Sequence, residues 1–381
     1  MHLSWTDVQR KAYDEMLAAA SQRLGAVTPY DREQPWFTRA EWRACGELGL
    51  LGLAVPESHG GGGLGALETA HLLEAFGRAC PDTGLVFAAG AHLLACAMPI
   101  ATFASDEVRD RLLPGMCAGE LVAANAMTED DAGSDVGRLS TVATRVDGGW
   151  LLRGEKSFAS NAPVADVIVT YATTDPAAGF LGVTGFVVER DRPGVRVGEP
   201  FAKMGLDGCP AGRVAFDGVL VPDSHVLGQP GQGGAIFQSS MGWERACLLA
   251  GWLGVMDRLV ADAVAHARSR RQFGRRIGDF QAVSHRIAGM AVRAETAKLM
   301  LYRACHLMDQ GADATTAIAM AKLVVSEAAV ATALDAVQVL GARGYQRAGA
   351  VEAALRDSVP TTLFSGTSEI QRELVAEGLG L

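Results

Sequence analysis

At 381 residues and 39.9 kDa the chain can form two or three packed layers, and 49% hydrophobic against 20% charged residues excludes a disordered chain. A net charge of −9 argues against a nucleic-acid surface and leaves an enzyme of small molecules or acidic partners as the expected class. Seven cysteines stand singly, at Cys45, Cys80, Cys96, Cys117, Cys209, Cys247 and Cys305, so neither a zinc site nor a disulfide framework is expected, and the compartment reads as reducing and cytoplasmic.

Residues 1–10 mix charges with apolar side chains and lack the apolar core of a signal peptide, so export is not expected. From residue 1 to 118 the spacing predicts helices, among them Thr6–Ala20 and Arg39–Leu48. The glycine-rich run from His59 to Gly65 lacks the Gly-Lys-Ser/Thr ending of a phosphate loop and reads as a flexible connection before a helix starting near Leu67. Gly84 to Ala104 carries no formal charge and is long enough to span a membrane. Its alanine and glycine content, His92, Pro99 and the flanking Asp82 and Asp106 predict a buried helix instead.

Between 119 and 230 the texture changes to short β-branched runs at 141–144, 167–171, 185–188 and 213–216, separated by glycine, proline and aspartate. After residue 231 the apolar spacing returns to three and four, predicting helices over Met241–Arg268, Phe280–Gln310, Thr315–Val337 and from Glu369 onward. Helices, then segregated strands, then helices predict an α+β protein with units at 1–118, 119–230 and 231–381, and argue against a doubly wound sheet.

Five strings in this frame carry chemistry. They are Ala126-Met127-Thr128-Glu129-Asp130-Asp131-Ala132-Gly133-Ser134-Asp135; Gly154-Glu155-Lys156-Ser157-Phe158-Ala159-Ser160-Asn161-Ala162; Arg270-Arg271-Gln272-Phe273-Gly274-Arg275-Arg276-Ile277 with Phe280-Gln281; Asp335-Ala336-Val337-Gln338-Val339-Leu340-Gly341; and Phe364-Ser365-Gly366-Thr367-Ser368-Glu369-Ile370-Gln371-Arg372. Taken singly each has a plainer reading: an acidic turn before a strand, a hairpin edge with a packed aromatic, or a solvated arginine-rich helix end. In this order, together with a helical first third, they resemble the acyl-CoA dehydrogenase family over essentially the whole chain. The resemblance implies that family's fold: an N-terminal helical domain, a central β domain and a C-terminal four-helix bundle, assembled as a homotetramer.

It also implies FAD as cofactor. Met127, Thr128, Gly133 and Ser134 would meet the flavin and its pyrophosphate, while Phe158 and Ser160 would border the ring, excluding water and supplying a donor near N5. Arg270, Phe273 and Gln281, with Gln338 and Gly341, would contact the cofactor of a neighbouring subunit, and Thr367 and Glu369 would complete the site. Lys203-Met204-Gly205 resembles a family turn, but Asp207-Gly208-Cys209-Pro210 departs from its usual serine-containing continuation.

The last string also departs from the family at the decisive place. Ser365 stands where a glutamate immediately before the Gly-Thr usually removes the α-proton of an acyl thioester, and a serine hydroxyl cannot do that. Some family members, isovaleryl-CoA dehydrogenases among them, draw the base from an earlier helix, and Glu244 occupies that place at the start of the first C-terminal helix, flanked by Trp243 and Arg245 as substrate-pocket candidates. Ser365 would then offer its backbone N–H alone to the thioester carbonyl. Glu244 paired with Arg245 on a helix surface is the plainer alternative, and Glu129 and Glu369 are assigned to structural or flavin-edge hydrogen bonds.

A finer resemblance, carried by Ala91–Cys96, Phe180–Val183, Phe237–Glu244 and Phe364–Thr367, is to the subgroup that oxidises prolyl groups tethered to a peptidyl carrier protein into pyrroles of secondary metabolites such as pyoluteorin and prodiginines. It implies α,β-dehydrogenation of a prolyl thioester on an acidic carrier protein with a phosphopantetheine arm, Glu244 as base, hydride transfer to flavin N5 and molecular oxygen as acceptor. Two alternatives stay open: a short- or branched-chain acyl-CoA dehydrogenase using Glu244, and an inactive flavin-binding protein. No metal, nucleic acid or membrane is expected.

Overall fold

The computed structural model describes residues 5–28, 32–347 and 349–381; Met1 to Ser4, part of the segment read as lacking a signal-peptide core, lie outside them. The helical first third comprises α1 (Asp7–Leu24), α2 (Arg39–Glu47), α3 (Ala66–Ala79), α4 (Thr83–His92), α5 (Met98–Phe103) and α6 (Asp106–Cys117). Thr6 and Thr38 close capping boxes with Gln9 and Glu41, satisfying the first-turn N–H groups of α1 and α2.

The glycine run before α3 is not the flexible connection expected from its composition. Gly62, Gly63 and Leu64 donate backbone hydrogen bonds to Gly52, Val55 and Leu53 at 2.9, 2.8 and 2.9 Å, and a Cβ on Gly61 would lie 2.0 Å from the Val55 carbonyl oxygen. Glycine is needed there for close packing. The N-terminus of α3 is then closed from a distant helix, with Asp309 Oδ1 and Oδ2 accepting from Ala66 N and Leu67 N at 2.6 and 2.9 Å.

The uncharged segment is buried, as its composition predicts. A π-helical turn at Leu93–Ala97 joins α4 to α5, and nearly every residue of Thr83–Phe103 is inside the fold. His92 ties it to the β domain: Nδ1 accepts from Ala123 N at 2.9 Å, Nε2 meets the Met116 carbonyl at 3.3 Å, and burial pushes the ring down to about 4, so it stays neutral.

The middle third contains β1 (Ala123–Ala126), β2 (Val142–Val146), β3 (Gly149–Ser160), β4 (Val167–Thr173), β5 (Val183–Glu189), β6 (Val195–Val197), β7 (Ala211–Pro222) and β8 (Val226–Leu227). They form one sheet in the order β6-β7-β3-β2-β4-β5-β8, with β1 parallel to β4. β4 is buried on both faces. Val167, Val169 and Tyr171 join the large helical core while Ile168 and Ala172 join the core within the β domain, which is why it reads as a near-continuous apolar run.

The last third holds α7 (Gly233–Cys247), α8 (Ala250–Ser269), a short hairpin of β9 (Arg271–Gln272) and β10 (Arg275–Arg276), α9 (Gln281–Asp309), α10 (Thr315–Leu340), α11 (Ala350–Ser358) and α12 (Ser368–Gly378). The single helix expected over Met241–Arg268 is two. Leu248 and Leu249, buried at the break, continue the apolar period, so the spacing conceals the turn. Glu244 accordingly lies near the end of α7, not at the start of a helix. α8, α9 and α10 pack on one another, with α12 against α10.

Candidate active site

Where the three thirds meet, a cavity of about 560 Å³ is lined by Met127, Thr128, Gly133 and Ser134 from the loop after β1, by Phe158 and Ser160 of β3, by Glu244 of α7, and by Ser365 and Thr367 before α12. Sequence positions spread over 240 residues thus share one wall. Phe87, Ala91, Ala95, Phe237, Met241 and Phe364 add an apolar side, with the Phe87 and Phe364 rings 4.7 Å apart.

Glu129 serves this wall from behind. Its Oε1 accepts from Lys156 Nζ at 2.8 Å and from Thr141 N at 3.0 Å, and Oε2 accepts from Ser140 N at 2.6 Å, fixing the loop against β3. Ser157 N donates to the Thr128 carbonyl at 2.8 Å. The β3–β7 register slips between Lys156 and Ala159, and Phe158 takes φ 56° at this bulge, turning a ring that is 61% exposed toward the cavity beside Phe201.

The residues present fit a flavin. A Cβ on Gly133 would meet nothing within 4 Å, Asn125 Oδ1 is buried without a partner among the described residues, and the hydroxyl residues Thr128, Ser134 and Ser160 line the cavity together with apolar Met127 and Phe158. An exposed aromatic and an unpaired polar atom lining one cavity are what a large, part-polar ring would cover.

Glu244 is 8% exposed and is the one carboxylate among the described residues lining the cavity. Burial raises its carboxyl above the ordinary value, opposed by the Ser365 hydrogen bond and by the Arg245 and Lys322 charges. Ser365 Oγ donates to Glu244 Oε1, a contact that the sequence reading, which gave Ser365 a backbone role alone, did not include. Arg245 Nε donates to the Ser365 carbonyl at 2.8 Å, and Lys322 Nζ donates to the Gly366 carbonyl at 2.7 Å.

Other predicted positions stand apart. Trp243 packs on the helical core and Arg245 reaches the back of the Ser365 turn; neither is on the cavity lining. Arg270, Phe273, Gln281, Gln338 and Gly341 are exposed on the far hairpin and helices of the same chain. Thr367 caps α12, accepting from Ile370 N at 3.4 Å, while the Glu369 side chain is 81% exposed beside Arg372. Lys322 and Gln371, which hold the Ser365–Gly366 turn, were missed. A lone lysine within the alanine-rich α10 was the available signal.

With that geometry in place, sequence comparison finds the acyl-CoA dehydrogenase N-terminal domain over residues 6–120, the middle domain over 124–219 and the C-terminal domain over 231–380. The chain belongs to the acyl-CoA dehydrogenase family. Among its relatives it is 50% identical, over the full length of both chains, to an L-prolyl-[peptidyl-carrier protein] dehydrogenase of Pseudomonas fluorescens. Of solved structures it is similar to PigA with FAD and proline, with 41% identity, a TM-score of 0.97 and full coverage of both chains. It also resembles the prolyl acyl carrier protein oxidase AnaB, with 37% identity, a TM-score of 0.96 and 99% and 100% coverage.

Proposed function

We propose that this protein is an FAD-dependent dehydrogenase of a prolyl thioester carried on a peptidyl carrier protein, with Glu244 as its base. The observation that carries the reading is Glu244 itself: a buried carboxylate, alone of its kind among the described lining residues, in the same cavity as the residues that fit a flavin. The relatives named above supply the substrate class. Bound in that cavity, FAD would supply the acceptor for the β-hydrogen as hydride.

Glu244 would remove the α-proton, and its desolvation makes it a stronger base once ionised. The backbone N–H of Ser365 would donate to the thioester carbonyl and stabilise the developing enolate. Thr128, Ser134 and Ser160 would orient the cofactor, with Phe158 keeping water from it. Loss of one proton and one hydride creates the Cα–Cβ double bond. A second two-electron oxidation with proton shifts completes the pyrrole, and molecular oxygen is the proposed terminal acceptor.

Arg270, Phe273, Gln281, Gln338 and Gly341 would act across a homotetramer interface, and an acidic carrier is the proposed partner. We take 1–118, 119–230 and 231–381 as the three units, divided after α6 and before α7. The proposed location is the cytoplasm, which suits seven free, buried cysteines. Ser365 alone would leave an inert flavin binder, and Glu244 in the same cavity would be the base that Ser365 cannot be.

The test is anaerobic bleaching of the bound flavin by prolyl-loaded carrier protein against an acyl-CoA panel. The prolyl carrier should bleach it, and Glu244→Gln should slow bleaching by about a thousandfold. Bleaching by an acyl-CoA alone would make it a short- or branched-chain acyl-CoA dehydrogenase.

A further inference from the structure

We infer that Ser365 is a positioning residue: its hydroxyl, presented by a left-handed turn clamped from three helices, orients the Glu244 carboxylate and favours its ionised form by donating to it. This rests on the proposed role of Glu244 and deepens it.

The backbone comes first. Ser365 adopts φ 56° and Gly366 φ 90°, and the former is strained for any residue with a Cβ. Such strain persists only where neighbours fix it. Here the Ser365 carbonyl accepts from Arg245 Nε of α7 at 2.8 Å and from Gln371 Nε2 of α12 at 3.4 Å. The Gly366 carbonyl accepts from Lys322 Nζ of α10 at 2.7 Å and from Gln371 Nε2 at 3.1 Å. Gln371 is fully buried and Lys322 is 1% exposed, so these donors compete with little water.

With both carbonyls held, Ser365 Oγ is aimed at Glu244 Oε1. A hydroxyl suits the place better than its alternatives. A carboxylate there would set like charge against Glu244, and an alanine would leave it no donor. A hydroxyl can also accept from the protonated acid, but its bond to the carboxylate is charge-assisted and stronger, so the net effect favours ionised Glu244.

The other groups facing Glu244 are Arg245 on its own helix, Lys322 from α10, Cys96 from the π-helical turn and Tyr171 from β4. Burial raises Cys96 and Tyr171, which therefore stay neutral. Burial, then the Arg245 charge, pushes Lys322 down to about 8, so the reading must come from the acidic limb below that.

Two variants separate hydroxyl from backbone. Ser365→Ala removes the donor and keeps the strain, while Ser365→Gly removes the donor and relieves the strain. For each, two quantities are followed with pH: single-turnover bleaching by prolyl-loaded carrier, and the infrared carboxyl band of Glu244, assigned by its loss in Glu244→Gln. Loss of the hydroxyl should move the acidic limb and the band's titration upward by about one pH unit in both variants. The variants are read independently, so misfolding of one leaves the other decisive. An unmoved band and limb, with Glu244→Gln inactive, overturns the positioning role alone. Wild-type bleaching in Glu244→Gln instead removes the base, and the proposed mechanism goes with it.

Discussion

Lys156 and Glu129 show how a residue inside a cofactor motif can act as a strut. Both are buried, 0% and 5% exposed, and the two respond differently to one environment. Burial pushes Lys156 down to about 8 against the pull of its partner, whereas Glu129, which burial alone would raise, is held at about 2 by Lys156 together with Ser140 and Thr141. The pair is ionised at neutral pH on the strength of those extra donors. Because the folded Glu129 lies below its ordinary 4.5, its contribution is complete above that pH and is lost as pH falls toward about 2. Glu129→Gln should therefore cost about 3 kcal/mol in urea unfolding at pH 7, since it strands a buried ammonium. Between pH 5 and 3 its stability should fall less steeply than that of the wild type. The string was legible as a motif, and Glu129 as a structural or flavin-edge hydrogen-bonding residue within it, but its partners Lys156, Ser140 and Thr141 were not, because they lie 11 to 27 residues away and meet it only in the fold.

At the level of elements, periodicity recovered the helices better than their ends. The break between α7 and α8 was invisible because Leu248 and Leu249 are buried in it as they would be within a helix. The crossing of α3 and α8 was equally hidden. A Cβ on Gly77 would lie 2.0 Å from the Gly251 carbonyl oxygen, and one on Gly254 would lie 2.1 Å from that of Glu74, so paired glycines let the two backbones meet. Gly77→Ala or Gly254→Ala should each lower stability by about 3 kcal/mol through overpacking, despite the better helix propensity of alanine. A thermal melt checks this directly, and an unchanged midpoint would mean that the crossing can widen freely. β3 gives the converse case. Its bulge at Phe158 breaks the strand's alternation, and only pairing with β7 shows that the ring is thereby turned toward the cavity.

For the whole molecule, the exposed hairpin string around Phe273 is the main unfinished surface. Phe273 takes φ 50° and is 92% exposed, a conformation and an exposure that a lone chain gains nothing from. Under the proposed cross-subunit role, light scattering should give four times the 39.9 kDa chain mass. Phe273→Ala should then weaken FAD retention about tenfold while leaving the chain's own melting nearly unchanged. A wild-type FAD affinity in that variant would reassign the string. The α+β order was legible from local periodicity alone, and the family and Glu244 as the proposed base were legible from ordered strings that resemble known relatives, because both kinds of signal lie in residue types close together along the chain. What faces Glu244 is set by the packing of distant segments. The Ser365 hydroxyl, the clamp of Arg245, Lys322 and Gln371, and the neutral Cys96 and Tyr171 come from five separate elements and the turn before α12, and a carboxylate's protonation is set by what surrounds it in space.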